Sequence, residues 1–250
     1  MLDSLNGMNA LITGSALRIG RAIALRLAKE GVNLLLHYNT SEEEVISLAK
    51  ELKSYSIKTA ILKADLINPQ SANSLYEQTI NIFGEIDILI NNASIFPVKL
   101  FDSFSYHDLI SSINIHSWAP LQLSRRMKKQ HKKGVIINFL DSRLWDYDDK
   151  HISYYLGKQL LRTLTRMLAM ELAPNIRVNA IAPGLILPPP GETEEYLARL
   201  SKTNPLKMYG NLLDIEEAVL FLLKSDFITG QVVFVDGGRF LLGSINDGII

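Results

Sequence analysis

Cysteine is absent from the 250 residues. That excludes disulfides, thiolate nucleophiles and cysteine-held zinc. The five histidines are scattered, with no i, i+4 pair to suggest a helical metal site. Surplus charge is absent too: Lys+Arg and Asp+Glu number 26 each, and no basic stripe points to nucleic acid. The lysine-rich run Lys128-Lys129-Gln130-His131-Lys132-Lys133 reads as a solvated helix end, which the helix dipole favours. No apolar stretch is long enough to cross a bilayer. The N-terminal residues lack a charged segment followed by an apolar one, so no secretory signal is expected. What is left is a cytoplasmic protein of one globular domain over residues 1–250. Its 47% hydrophobic content suffices for a large buried sheet.

Apolar runs recur at residues 9–13, 33–37, 59–63, 86–90, 134–139 and 177–181, and read as buried parallel strands. Helical patterns lie between them at 21–30, 42–54, 69–83, 107–130 and 152–172. Strands alternating with helices predict an α/β fold, a single-domain doubly wound Rossmann-type sheet. In such sheets ligands bind beyond the carboxyl ends of the strands. Phe96, Asp141, Pro183 and Gly184 each follow a strand and can converge there. The least regular stretch is about 185–211. Pro188-Pro189-Pro190-Gly191 cannot continue a helix or a central strand, and a short helix is expected at 192–202.

Two sequence patterns carry chemistry. After the first strand, Gly14 and Gly20 flank a turn into a helix, where bare backbone approaches a phosphate and the helix N-terminus favours the anion. Arg18 stands where a dinucleotide fingerprint has its middle glycine, and its planar fork can reach a phosphate. Farther on, Tyr154 and Lys158 are spaced i, i+4 on one helical face. A neighbouring ammonium stabilises phenolate and suits a phenol to proton transfer near neutral pH. Asp141 precedes that tyrosine by thirteen residues. An ionised carboxylate only accepts hydrogen bonds. It therefore suits a substrate that presents N–H or amino groups better than a plain ketone. The end of the second strand, His37-Tyr38-Asn39-Thr40-Ser41, carries no acid for a ribose 2′-OH, which favours a 2′-phosphate and hence NADPH. Glu42, Glu43 and Glu44 read as the first turn of the following helix.

Taken together these residues resemble the short-chain dehydrogenase/reductase family over nearly the whole chain. The matches are Thr13-Gly14 with Gly20, Asp65 in Ala64-Asp65-Leu66, Asn91-Asn92-Ala93, Asn114, Tyr154 with Lys158, Ile181-Ala182-Pro183-Gly184 and Asp236-Gly237-Gly238. Asp141 replaces the serine of the family's Asn-Ser-Tyr-Lys tetrad, and Arg18 replaces the middle glycine. Both departures look like the pteridine reductase branch, which includes dihydromonapterin reductases. Asn91–Phe96, His37-Tyr38 and Asp149–Ile152 agree with that branch. Its usual arginine after the second strand is Thr40 here.

The resemblance implies roles. Asp141, Tyr154, Lys158 and Asn114 are the catalytic set. Tyr154, helped by Asp141, supplies the proton; Lys158 tunes the phenol and holds the nicotinamide ribose; Asn114 supports a water relay. Cofactor contact is expected from Gly14, Arg18, Ile19, Gly20, His37, Tyr38, Asn39, Ser41, Asp65, Leu66, Asn92, Ala93, Ser94, Tyr154, Lys158, Pro183 and Gly184. Substrate contact is expected from Arg18, Phe96, Asp141, Tyr154 and Leu185, with Phe96 stacked on the pterin and residues 185–211 as a lid. Trp145 and Tyr147 are candidates for the pocket wall, with core or surface placement equally open, and His151 and Tyr155 stay undecided. The expected protein is an NADPH-dependent dihydropterin reductase, a homotetramer without nucleic-acid, membrane or metal partners. The alternatives are a carbonyl reductase of the same family, acting on a ketone, sugar or acyl-carrier substrate, and a catalytically idle dinucleotide-binding regulator.

Overall fold

Seven parallel strands form one sheet in the order β3-β2-β1-β4-β5-β6-β7 in a computed structural model that describes residues 4–145, 149–189 and 191–242. They are β1 (Asn9–Ile12), β2 (Asn33–Tyr38), β3 (Thr59–Lys63), β4 (Ile88–Asn91), β5 (Gly134–Phe139), β6 (Ile176–Pro183) and β7 (Val232–Val235). Successive side chains of a strand point to opposite faces, and here both faces are covered. Ala10 and Ile12 pack on one side and Leu11 on the other; Leu34 and Leu36 oppose Leu35 in the same way, as Ile88 and Ile90 oppose Leu89. The first face takes α1 (Arg18–Lys29), α2 (Glu42–Leu52) and α8 (Leu212–Lys224), through residues such as Ile23, Leu48 and Val219. The second face takes α3 (Ser71–Phe83), α5 (Ala119–Lys128) and α6 (Ile152–Glu171), through Leu75, Leu123 and Leu168. Burial on both sides is why the strands read as unbroken apolar runs.

The chain runs outward from β1 through β2 to β3, then returns to pair β4 with the other side of β1. The loops after β1 and β4 therefore part company at the sheet centre and open a crevice at the switch point. A buried polar chain anchors its floor. Asn91 Nδ2 donates to Asn138 Oδ1 (2.8 Å), and Asn138 Nδ2 donates to Thr165 Oγ1 (3.0 Å). Those bonds tie β4 and β5 to α6, the helix that carries Tyr154 and Lys158.

Residues 107–130 differ from the single helix expected. The structure has α4 (Tyr106–Ile113), a π-helical turn (Asn114–Trp118) and α5. Pro120 cannot donate a backbone hydrogen bond, and the Ala119 N–H bonds back to Asn114 O, one residue wider than an α-turn. β7 is a further strand beyond the six apolar runs. The helix expected at 192–202 is α7 (Glu194–Ser201). The irregular region around it is tied at its base, where Gly210 N donates to Leu185 O (2.9 Å) and Leu206 N to Gly237 O (3.2 Å).

Candidate active site

The Gly14–Gly20 turn is built by close backbone approach. Gly14 has φ +64°, in the left-handed region where glycine is at ease. A Cβ on Gly20 would lie 2.1 Å from Gly14 O and 2.7 Å from Asn92 Nδ2. Asn92 Nδ2 donates to Thr13 O (3.0 Å) and Gly14 O (2.8 Å), while Thr13 Oγ1 accepts from the N–H groups of Asn92 and Ala93, both at 3.0 Å. The side chain of Asn92 thus bolts the two switch-point loops together. His37 does similar work from below. Its Nδ1 accepts from Gly14 N–H and its Nε2 lies 3.0 Å from Ala64 O, which makes Nε2 the donor and the ring neutral. Burial lowers its pKa to about 4, against the opposing pull of the Ala64 bond and Asp65.

Arg18 has φ +53°, so the backbone at this position takes the left-handed conformation that suits glycine. Its guanidinium reaches across the crevice and donates to Pro188 O (2.9 Å). Gly184 is bare for packing: a Cβ there would lie 2.7 Å from Asp236 Cα.

Opposite this turn, α6 presents Tyr154 and Lys158, the pair expected from sequence to move the proton. Tyr154 Oη donates to Asp141 Oδ2 at 2.9 Å, and Asp141 Oδ1 accepts from Arg143 N–H at 2.8 Å. Lys158 is buried, its Nζ donates to Phe139 O (2.5 Å), and it lies 5.8 Å from the Tyr154 ring centroid. Burial lowers its pKa to about 8, with Asp141 pulling the other way. Phe96 meets the Tyr154 ring edge-to-face, with centroids 4.7 Å apart, and one of its own faces stacks on His151 at 3.7 Å. The segments holding these two rings are pinned by the Lys99 N–H to Lys150 O bond (2.7 Å). Tyr155 turns from the cleft: its hydroxyl donates to Leu144 O (3.3 Å) and braces the loop after Asp141.

One cavity of about 520 Å³ gathers Gly14, Arg18, Ile19, Gly20, Asn92, Ala93, Ser94, Phe96, Asp141, Tyr154, Lys158, Pro183 and Gly184. A second, of about 190 Å³, joins it across Gly14, Ala93 and Ser94 and is lined by His37, Tyr38, Asn39, Ser41 and Leu66. The site residues expected from sequence thus fall along a single bent crevice, with three exceptions. Leu185 lines a different cavity, between the 185–211 region and the Asp236-Gly237-Gly238 turn; Ile186 lines both cavities and Leu187 the first alone. Asn114 donates from Nδ2 to Ile67 O (2.8 Å). Asp65 Oδ1 accepts from Ile67 N–H (3.0 Å) and from Asn39 (3.4 Å). Tyr147 lies outside the described residues, and Trp145 closes a short 3-10 turn (Ser142–Trp145). Sequence reasoning passed over Leu17, Leu187 and Pro189 in the wall and His116 behind it. Only the proline-rich composition hinted at Pro189. Among the described residues no cluster could hold a metal ion, and no helix is long and apolar enough to cross a membrane.

The crevice fits a dinucleotide. Its centre is a glycine turn with no room for a Cβ, two cavities meet over that turn, and a buried ammonium lies beside the phenol. A family model described as enoyl-(acyl carrier protein) reductase matches residues 14–239. The chain belongs to the short-chain dehydrogenase/reductase family. It is an oxidoreductase of the NAD(P)-dependent type. The 3-oxoacyl-[acyl-carrier-protein] reductase FabG of Aquifex aeolicus is 33% identical over 250 residues, which span 94% of this chain and 98% of the relative. The crystal structure of FolM, alternative dihydrofolate reductase 1 from Brucella canis, complexed with NADP, superposes with a TM-score of 0.89 at 32% identity, covering 95% of each chain. A blue fluorescent protein from a metagenomic library, in complex with NADPH, reaches 0.88 at 30% identity, covering 94% of this chain and 99% of its own.

Proposed function

We propose that this chain reduces a dihydropterin-type substrate with NADPH. The observation that carries the reading is the 2.9 Å hydrogen bond from Tyr154 Oη to Asp141 Oδ2. A carboxylate at this place offers no donor to a ketone oxygen but accepts from ring N–H and amino groups. When bound, the dinucleotide supplies the hydride. The protein's part is the proton. Tyr154 Oη carries it, Asp141 shares it, and the pair delivers it to a ring nitrogen beside the reduced carbon. That transfer leaves negative charge on the phenol, which the Lys158 ammonium offsets at close range. Phe96 keeps a partly exposed ring at the cavity wall, where a flat heterocycle can stack.

NADPH over NADH is supported by the adenosine-side cavity, whose lining contains no carboxylate. Ser41 stands there before α2, and its hydroxyl can donate to a phosphate, with Glu42, Glu43 and Glu44 following in the first turn. A homotetramer is supported by apolar side chains exposed along α6 (Leu160, Met167 and Met170), and light scattering tests it. The second reading is a carbonyl reductase acting on an acyl-carrier or other ketone substrate, and the FabG relative favours it. The idle-regulator reading loses its ground with family membership and the intact Tyr154–Lys158 pair. NADPH oxidation with dihydrobiopterin, dihydromonapterin, dihydrofolate and a panel of ketones and 3-oxoacyl thioesters decides between the two. Dihydropterins are expected to lead in kcat/KM; a wild-type enzyme that turns over only ketones ends the pterin reading.

A further inference from the structure

Behind Tyr154 lies a histidine that the proton-transfer chemistry above does not use. His116 sits in the π-helical turn and is 1% exposed. Its Nε2 accepts from the Ile95 N–H at 3.3 Å, so that nitrogen carries no proton, and the Ser94 hydroxyl 2.9 Å away must be the donor. Burial above all, with the Lys158 charge second, holds its pKa well below the ordinary histidine value, which agrees with a neutral ring. The imidazole meets the Tyr154 ring edge-to-face, with centroids 5.2 Å apart at 90°. Phe96, the next residue along from Ile95, meets the same tyrosine at 88°. One buried ring therefore touches both the proton donor and the loop that carries the substrate wall.

The opposing helix makes room for it. A Cβ on Gly157 would lie 2.9 Å from His116 Nδ1 and 2.8 Å from Ser112 O. The glycine between Tyr154 and Lys158 is thus bare where α6 passes His116.

We propose that His116 is a positioning residue. Its neutral imidazole holds the Ser94–Phe96 loop and Tyr154 in one relation, so that substrate wall and proton donor keep a fixed distance. This rests on Tyr154 as proton donor, and not on the substrate being a pterin.

The test exploits the reach of two amides. Glutamine at 116 places an acceptor near the position of Nε2, whereas asparagine reaches only that of Nδ1. The assay uses whichever dihydropterin, ketone or 3-oxoacyl thioester the wild type reduces best, with NADPH titrated separately. His116→Asn is expected to raise the substrate KM about tenfold, the loss of one to two neutral hydrogen bonds, with kcat moving less. The NADPH Kd is expected to move less than the substrate KM, since the Gly14–Gly20 turn and Asn92 are bonded to one another and not to His116. His116→Gln is expected to return KM to within about threefold of wild type. If the asparagine variant does not fold, His116→Phe takes its place; it keeps the ring edge, lacks the acceptor and is expected to raise KM. Equal impairment by Gln and Asn, wild-type KM in all variants, or NADPH Kd weakening in step with KM overturns the proposal. A wild type inactive on dihydropterins but active on ketones refutes only the pterin reading and leaves this test intact.

Discussion

The two walls of the crevice are made differently. The wall proposed for the cofactor centres on backbone: Gly14 and Gly20 approach main chain closely, and the side chains of Thr13, Asn92 and His37 bond to that main chain. The wall proposed for the substrate is side chain: Phe96, Asp141 and Tyr154 come from three separate segments and meet through a ring contact and one hydrogen bond, with His151 stacked on Phe96. Backbone walls tolerate almost no added atom, because nothing in them can rotate away. Side-chain walls tolerate exchange and change their chemistry when it happens. That contrast explains how one family scaffold holds one cofactor type while its substrates vary.

Tyr154→Phe should give the largest separation of the two walls. A general acid typically contributes about 10²–10⁴-fold in rate, so kcat should fall by that order while NADPH affinity stays near wild type. Steady-state kinetics with a fluorescence titration of NADPH checks both; turnover close to wild type removes Tyr154 from the reaction.

Gly20→Ala attacks the opposite wall. Its new Cβ meets Gly14 O at 2.1 Å, and backbone on both sides must shift. Overpacking of this kind costs about 1–3 kcal/mol. Weaker NADPH binding and a lower Tm should appear together. An unchanged Kd would show the turn to be less rigid than its contacts imply.

Asp141→Ser should sharpen the substrate side alone. It trades a charged acceptor for a neutral hydroxyl, and hydrogen bonds to charged groups contribute about 1.5–3 kcal/mol against about 0.5–1.5 for neutral ones. The kcat/KM ratio of dihydropterin to ketone should drop about tenfold. A ratio that does not move would leave the carboxylate without a role in substrate choice.

The smallest effect expected is a pH limb. Lys158 titrates at about 8 in the folded protein, below its ordinary 10.5. Below about 8 it is an ammonium and supports the phenol; as pH rises through 8 the charge is lost and reduction should slow. The linkage has the opposite sign for stability. Between about 8 and 10.5 the unfolded chain binds more protons than the folded one, so the burial penalty carried below pH 8 is relieved as pH rises. A kcat/KM profile whose alkaline limb near 8 survives in Lys158→Met would assign that limb to another group.

What could be read from the chain follows from local physics. Buried parallel strands need apolar residues on both faces, so six of them stand out as apolar runs; β7 (Val232–Val235), a strand at the sheet edge, is an apolar run of the same kind that sequence reasoning passed over. The glycine turn and the Tyr154–Lys158 spacing are also local, each complete within seven residues or fewer. Other features depend on partners far along the chain. The π-turn at Asn114–Trp118 is not among them: Pro120, inside 107–130, is a local mark against an unbroken helix. Leu185 and Leu187 are alike in sequence, yet they line different cavities, and the chain between them is tied at Leu185 O by the N–H of distant Gly210.

By itself the sequence determined the alternation of strands and helices, the family and which residues are candidates to move a proton, because periodicity and short motifs are encoded by neighbours. The tertiary structure alone decided that Tyr154 donates to Asp141, that Arg18 spans the crevice to Pro188, and that His116 stands between the Ser94 loop and α6. Those pairs lie 13, 170 and 22 residues apart. Their geometry is fixed by which strand adjoins which, and no local pattern carries that information.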